Sequence, residues 1–168
     1  MEAREKDSSP AVPTPRLHVV LVEPEIAANV GSIGRTCVAV GARLWLVRPL
    51  GFHLDDRHRR RAGLDYWERL DLRVVDGWDE IIAELGQDRL WTFSTKAEVR
   101  YTEVSYRVGD ALAFGPESRG LPAHILNEAA SRGRAARIPL RPEARSLNLA
   151  CAAAVGLYEA VRQIDLNR

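Results

Sequence analysis

The stretch IPLRPEARSLNLACAAAVGLYEAVRQ, residues 138–163, joins a short apolar strand to the longest helix that the sequence predicts. Pro139 and Pro142 stiffen the connection, and Ser146 is a natural N-cap for a helix over residues 147–163. At about 100° per residue the strongly polar side chains of this helix share one narrow stripe: Asn148, Glu159, Arg162 and Gln163. The other positions are small or apolar, so we expect the helix to pack closely on a sheet or on a second subunit.

Upstream of this stretch, short apolar or β-branched runs alternate with segments of helical character. Strands are predicted at residues 17–22, 43–47, 90–94, 111–114 and 135–138, and helices at residues 29–40, 77–85 and 121–130. The alternation is typical of an α/β fold with a mostly parallel sheet flanked by helices. A chain of 168 residues suits one core, so a single domain is expected over residues 17–168.

The composition, 46% hydrophobic and 28% charged, is that of a globular protein, and no apolar run approaches the roughly 18 residues of a membrane span. Residues 1–16 contain charges, serines and three prolines without the apolar segment of a secretory signal, which predicts a disordered tail. Cys37 and Cys151 lie among small apolar residues on predicted helices and are interpreted as buried, reduced thiols. We therefore expect a cytoplasmic protein without a metal site.

The net charge of +1 does not by itself indicate a nucleic-acid partner, so an RNA surface would need local clustering of basic residues. One such cluster exists, at Arg57, His58, Arg59, Arg60 and Arg61. It is interpreted as a surface that contacts phosphates, the alternative being a solvated helix partly neutralised by Asp55 and Asp56.

Three loops that follow predicted strands are rich in glycine, proline and polar residues. They are residues 23–35 (EPEIAANVGSIGR), 114–122 (FGPESRGLP) and 138–149 (IPLRPEARSLNL). Ligands of open parallel sheets bind outside the carboxyl ends of the strands. The loops therefore predict that a polar small molecule or a nucleic acid binds at one edge of the sheet.

Within these loops, individual residues allow two interpretations. Asn29 or Ser32 can cap the helix that follows the first loop, and Arg35 lies where it could reach a phosphate, unless the segment is an ordinary capped turn with a solvated arginine. Glu117 lies two residues from Arg119, and the alternative to a functional carboxylate is an ion pair that holds the turn.

The three loop motifs, together with RRAGLDYW at residues 60–67, closely resemble the SPOUT methyltransferase superfamily. Within it they are most similar to the small enzymes that methylate the ribose 2′-hydroxyl of cytidine or uridine 34 of tRNA. The resemblance spans residues 17–163. It implies a sheet with a C-terminal trefoil knot, S-adenosyl-L-methionine as cofactor, a homodimer formed through the last helix, and the anticodon stem-loop of tRNA as partner.

The resemblance also implies roles for individual residues. The cofactor pocket would be lined by Phe93, Gly115, Ile138, Ser146 and Leu147. The residues that match active-site motifs are Asn29, Arg35, Glu117, Ser146, Asn148 and Tyr158. A guanidinium is a poor base, so Arg35 is expected to hold an RNA phosphate together with the cluster at Arg57, Arg59, Arg60 and Arg61. Tyr158 could equally be a core tyrosine.

Two other functions remain open at this point. The same chemistry could act on another tRNA ribose or on an rRNA ribose, although relatives with additional RNA-binding domains are longer. A protein of a different class, an RNA-binding protein with a degenerate pocket, is disfavoured by the intact Arg35, Glu117, Ser146 and Asn148. The resemblance leaves open whether cytidine, uridine or both are accepted.

Overall fold

A computed structural model describes residues 15–54 and 66–166 of the chain. The strands are β1 (His18–Val22), β2 (Arg43–Val47), β3 (Leu72–Val75), β4 (Leu90–Phe93), β5 (Val99–Arg100), β6 (Ala111–Phe114) and β7 (Ala135–Arg137). The helices are α1 (Ala27–Val40), α2 (Trp78–Leu85), α3 (Ala123–Ser131) and α4 (Leu149–Leu166), with short 3-10 helices at Trp67–Arg69 and Gln87–Arg89. The basic cluster predicted at Arg57, Arg59, Arg60 and Arg61 lies outside the described residues.

The described strands form one seven-stranded sheet in the order β3-β2-β1-β6-β4-β7-β5, and every neighbouring pair is parallel. The mostly parallel α/β sheet and its five predicted strands are confirmed. Two strands were missed. β3 is an edge strand with exposed Arg73 and Val74, and β5 contains only two residues, so neither has a strong apolar pattern.

The sheet is buried on both faces because the side chains of its strands alternate between two helical layers. In β1, Val19 and Leu21 pack in the cluster that contains α1 and α4, whereas Val20 and Val22 pack in the cluster that contains α2 and α3. All five residues of β1 are buried. This two-sided burial is why the central strands are nearly continuous hydrophobic runs.

Helix α4 packs closely against the sheet through Gly156. A Cβ at Gly156 would lie 3.0 Å from the Phe93 ring and 3.0 Å from the Leu112 side chain. The predicted close packing on a sheet is thus confirmed for this face. No helix within residues 15–54 and 66–166 combines the length and the apolar character needed to cross a membrane.

Part of the polar stripe of α4 forms hydrogen bonds with the rest of the protein, whereas Asn148 and Arg162 are exposed. Gln163 Oε1 accepts a hydrogen bond of 3.0 Å from the Tyr106 amide, and Gln163 Nε2 donates to Glu159 Oε1 at 2.8 Å. Another exposed surface of the C-terminal segment is formed by Leu147, Cys151, Val155 and Tyr158, which we call the apolar face. The prediction that both cysteines are buried is wrong for Cys151, which is exposed, and confirmed for Cys37.

The helix caps also differ from the prediction. Ile26 occupies the N-cap of α1 without a side-chain hydrogen bond, so neither Asn29 nor Ser32 caps that helix. Asn148, not Ser146, caps α4: its Oδ1 accepts hydrogen bonds from the amides of Ala150 and Cys151, at 2.9 and 3.3 Å. α4 starts two residues later than predicted, so Ser146 lies in the preceding loop.

A buried histidine makes the stability of the fold depend on pH. His18 is 7% exposed, and its Nδ1 accepts a 3.1 Å hydrogen bond from Trp45 Nε1. Burial and the nearby positive charge of Arg43 lower the pKa of His18 from 6.5 to about 4. The unfolded chain therefore binds a proton more readily than the folded one between these values, and the folded state is destabilised as the pH falls through this range.

We expect wild-type protein to lose on the order of 3 kcal/mol of unfolding free energy from this group as the pH falls from about 6.5 to 4. In His18→Asn the amide oxygen can accept the Trp45 hydrogen bond without titrating, so the pH dependence should be flatter by that amount. Denaturant unfolding at several pH values measures the difference. His53→Asn, at an exposed histidine, should follow wild type, and equal slopes for wild type and His18→Asn would contradict the prediction.

Candidate active site

The three loops singled out in the sequence meet at one edge of the sheet. Because all strands are parallel, the segments after β1, β4, β6 and β7 leave the sheet on the same side. β1 and β6 are neighbours in the sheet, but the chain continues from β1 to β2 on one side and from β6 to β7 on the other. Ligand crevices of open parallel sheets form at such a point. The topology therefore brings residues distant in sequence into a common site.

A network of hydrogen bonds ties these loops together through Glu117. Its carboxylate accepts hydrogen bonds from the amides of Glu25 at 2.9 Å and Ile26 at 3.3 Å, and from Asn29 Nδ2 at 2.8 Å. The buried Asn29 in turn accepts a hydrogen bond of 3.0 Å from Asn148 Nδ2. Since Asn148 caps α4, the network extends from the loop after β6, through α1, to the start of the last helix.

A second set of contacts runs in the opposite direction between the same two loops. The Glu25 carboxylate accepts hydrogen bonds from Ser118 N at 2.9 Å, Ser118 Oγ at 2.6 Å and Arg119 Nη1 at 3.1 Å. Arg119 also contacts the carboxylate of Glu23, which has a left-handed backbone with φ of 47°. The interpretation of Glu117 and Arg119 as an ion pair is wrong, because Arg119 reaches the other loop and leaves Glu117 to Asn29.

The charge state of Glu117 follows from these contacts. Burial alone would raise the pKa of Glu117, but the hydrogen bonds from Asn29 and from the amides of Glu25 and Ile26 outweigh it and hold the pKa below its usual value. Glu117 is therefore ionised at neutral pH and is a weak proton acceptor. Its geometry suits a residue that fixes the loops rather than one that takes up a proton.

Beside this network lies a cleft of about 410 Å³ that opens to solvent. Its floor contains the Phe93 and Phe114 rings, stacked with their centroids 4.7 Å apart. The residues that line it are Phe93, Ser94, Thr95, Phe114, Ile138, Leu140, Ser146, Leu147 and Ala152. Four of the five residues predicted to line a cofactor pocket are among them. Five lining residues were not predicted: Ser94 and Thr95 after β4, Phe114 at the end of β6, Leu140 after β7, and Ala152 on α4.

Gly115, the fifth predicted residue, does not line the cleft. A Cβ at Gly115 would lie 2.1 Å from the Leu121 amide nitrogen and 2.2 Å from the Gly120 carbonyl carbon. Such overlaps with backbone atoms cannot be relieved by side-chain movement, so glycine is needed where the chain returns past the end of β6. Its contribution to the cleft is indirect, because it closes the turn that carries Glu117.

Arg35 lies apart from this network. Its side chain is exposed, and its guanidinium carbon is 4.9 Å from the centre of the Tyr66 ring. Tyr66 in turn donates a 2.5 Å hydrogen bond to the Gly31 carbonyl. Arg35 follows Asn29 by six positions on the helix, which places the two side chains about 120° apart around the helix axis. The structure thus places Arg35 on the outer side of α1, away from Glu117.

The remaining predicted residues lie on the surface. Tyr158 is 53% exposed, so its interpretation as a core tyrosine is wrong. Ser146 is exposed at the cleft, and its neighbour Leu147 is 39% exposed. Within the described parts of the chain, no group of three or more His, Cys, Asp or Glu residues is arranged to hold a metal ion.

Comparison with known proteins identifies the family to which this arrangement belongs. The model of the SpoU rRNA Methylase family matches residues 16–158. The chain belongs to this family. The predicted resemblance to SPOUT methyltransferases is therefore confirmed.

The chain is similar over most of its length to RNA methyltransferases. It is 49% identical over 147 residues to the tRNA (cytidine(34)-2′-O)-methyltransferase of Saccharophagus degradans, which covers 88% of this chain and 95% of that relative. A solved structure described as giving structural insights into the 2-OH methylation of C/U34 on tRNA matches with a TM-score of 0.80 at 45% identity, over 90% of this chain and 97% of the other. The AdoMet-bound rRNA methyltransferase from Sinorhizobium meliloti matches with a TM-score of 0.75 at 27% identity, over 92% of this chain and 60% of the other.

The Glu117 network generates a prediction for stability. Glu117→Gln replaces one acceptor oxygen by an NH2 group, which must point either at the Glu25 amide or at the Ile26 amide and Asn29 Nδ2, so at least one donor of the network loses its partner. We expect a loss of about 2 kcal/mol in unfolding free energy at pH 7. Glu143→Gln, at an exposed carboxylate of the third loop, is the matched control and should change stability by less than about 0.5 kcal/mol. Equal effects of the two substitutions would mean that the network does not stabilise the fold.

Proposed function

We propose that this protein transfers a methyl group from S-adenosyl-L-methionine to the ribose 2′-hydroxyl of C34 or U34 in tRNA. The observation that carries the proposal is the Glu117–Asn29–Asn148 network beside the Phe93 cleft, in a chain 49% identical to a tRNA (cytidine(34)-2′-O)-methyltransferase along nearly its whole length. The related AdoMet-bound rRNA methyltransferase supports the choice of cofactor.

The cleft suits this cofactor chemically. The stacked Phe93 and Phe114 rings and the side chains of Ile138 and Leu140 provide an apolar floor for a flat adenine ring, whereas Ser94, Thr95 and Ser146 provide hydroxyl groups for its polar parts. Phe93, Ile138, Ser146 and Leu147 would hold the cofactor, as the resemblance implies, with Gly115 shaping the adjoining turn. When bound, the cofactor supplies an electrophilic methyl carbon on its sulfonium.

The protein's own residues would then have separate tasks. Arg35, exposed on α1, would hold a phosphate of the RNA and so position the ribose hydroxyl. Glu117, Asn29 and Asn148 would keep α1, the loop after β6 and the start of α4 in fixed relation, so that the RNA and the cofactor meet in the required geometry. Such positioning can supply most of the rate of a two-substrate reaction. Ser146 and Tyr158 remain candidates for contact with the reacting groups.

Two further properties belong to this proposal. A homodimer is supported by the apolar face of Leu147, Cys151, Val155 and Tyr158, because the last three lie within about 60° on α4 and are exposed in the single chain. A C-terminal trefoil knot is supported by the strand order, because the late strands β6 and β7 are inserted beside the earlier β4 and the chain then crosses back to pack α4 on α1. We further propose a single domain over residues 17–168 after a tail of residues 1–16, acting on tRNA in the cytoplasm.

The test is to incubate the purified protein with labelled S-adenosyl-L-methionine and either unmodified tRNA transcripts or unmodified rRNA, and to map any methylated ribose. Methyl transfer to position 34 of tRNA is the expected result. Transfer to rRNA alone would reassign the substrate, and calorimetry showing no binding of S-adenosyl-L-methionine would overturn the enzyme function.

A variant separates the proposed tasks of the two sides of the site. Arg35→Ala should lower kcat/KM for tRNA by about 10²-fold or more while leaving the cofactor Kd nearly unchanged, because Arg35 lies outside the cleft. Arg107→Ala is the control, since Arg107 is exposed before β6, at the opposite end of the sheet, and should behave as wild type. Equal losses of cofactor binding and transfer in Arg35→Ala would mean that Arg35 is misplaced in this scheme.

A further inference from the structure

Three exposed cations are neighbours in sequence of residues that line the cleft. Lys96 follows the lining residue Thr95, Arg141 follows Leu140, and Arg145 precedes Ser146. None of the three is itself a lining residue. We call Lys96, Arg141 and Arg145 the cationic rim.

The side chains of the cationic rim have no carboxylate partner within residues 15–54 and 66–166. Many other arginines of the described chain do pair with carboxylates: Arg16, Arg43, Arg48, Arg89, Arg119, Arg132 and Arg162. The carboxylate closest in sequence to the rim arginines is Glu143, which is also exposed and lies between them. The rim therefore presents unneutralised positive charge to whatever lies over the cleft.

The loop that carries the two rim arginines is stiffened and locally ordered. Pro139 and Pro142 fix the backbone at two positions, and the Ala144 amide donates a 3.0 Å hydrogen bond to the Arg141 carbonyl, closing a turn. Residues 141–148 are all exposed. Side chains presented from a constrained backbone lose less entropy when they bind, which favours their use in recognition.

We infer that the cationic rim binds the phosphates of the RNA strand that carries the target ribose. The inference rests on the proposed function and deepens it. It adds a phosphate-binding surface on the cofactor side of the site, whereas Arg35 is proposed to hold a phosphate from α1. Because the rim residues flank the cleft but do not line it, they are placed to contact a polyanion crossing the mouth rather than a molecule inside. Binding of this kind contributes affinity and a salt dependence and carries no sequence specificity.

The inference is tested with the full chain and an unmodified tRNA transcript, by measuring Kd between about 50 and 200 mM salt. Arg141→Ala and Arg145→Ala should each raise Kd by about fivefold and reduce the slope of log K against log salt by about 0.7, the value expected for one phosphate contact on a single strand. Lys96→Ala should change the slope in the same direction. The cofactor Kd and the kcat at saturating tRNA should remain those of wild type.

Two controls frame these measurements. Arg107→Ala removes an exposed arginine at the other end of the sheet and should leave both Kd and slope unchanged. Glu143→Gln removes a negative charge from the rim loop and should have the opposite sign, lowering Kd for tRNA. A global effect on folding would not produce opposite signs in neighbouring residues of one loop.

The possible failures are distinguishable. Wild-type Kd and slope in the arginine variants, or a weakened cofactor Kd with unchanged tRNA binding, would overturn the cationic rim while methyl transfer by the wild type leaves the proposed function intact. If the wild type binds the transcript with the predicted rim dependence but transfers no methyl group to it, the proposed function fails and the RNA surface stands. Wild-type protein that binds no RNA overturns both.

Discussion

The hydrogen bonds accepted by Glu117 hold together segments that the chain order keeps far apart. Its carboxylate binds the backbone at Glu25 and Ile26 and the side chain of Asn29, across about ninety residues of sequence. Glu25 makes the reciprocal contacts with Ser118 and Arg119. Each loop thus satisfies polar groups of the other, and neither could keep its conformation if the other were displaced.

The parallel sheet makes this exchange possible. Parallel strands release their chains at one edge, so the loop after β1 and the loop after β6 are adjacent because the strands themselves are paired. Close approach of the backbone completes the arrangement, at Gly115 against the Gly120–Leu121 peptide and at Gly156 against Phe93. The cleft is therefore bounded by elements whose spacing is set by core packing, which is how a site built on loops can remain rigid.

The sequence predicted this edge of the sheet well, because strands buried on both faces and turns rich in glycine and proline are local patterns. It predicted partners poorly. An ion pair of Arg119 with Glu117, two residues away, was one of two interpretations, whereas Arg119 binds Glu25 in another loop. Ser146 was expected to make the helix cap that Asn148 makes. Exposure was predicted wrongly at Cys151, because the composition of an apolar helix does not show which of its sides packs on the sheet. Glu25 appeared in the sequence only as part of the motif EPEI, residues 23–26, and the spacing of that motif does not show which groups Glu25 binds.

The electrostatics of the network bear on how the proposed reaction would proceed. Hydrogen bonds hold Glu117 in its ionised form with a lowered pKa, Arg35 is a permanent cation, and Asn29 and Asn148 do not titrate. None of these four side chains is therefore suited to take up a proton at neutral pH. A sulfonium is already a reactive methyl donor, so the demand on the protein is to align the ribose oxygen and to lower the cost of its losing a proton, which nearby positive charge does. The charged groups of the site fit these two demands. The carboxylates of Glu25 and Glu117 fix the loops, whereas Arg35 and the cationic rim remain available to the RNA.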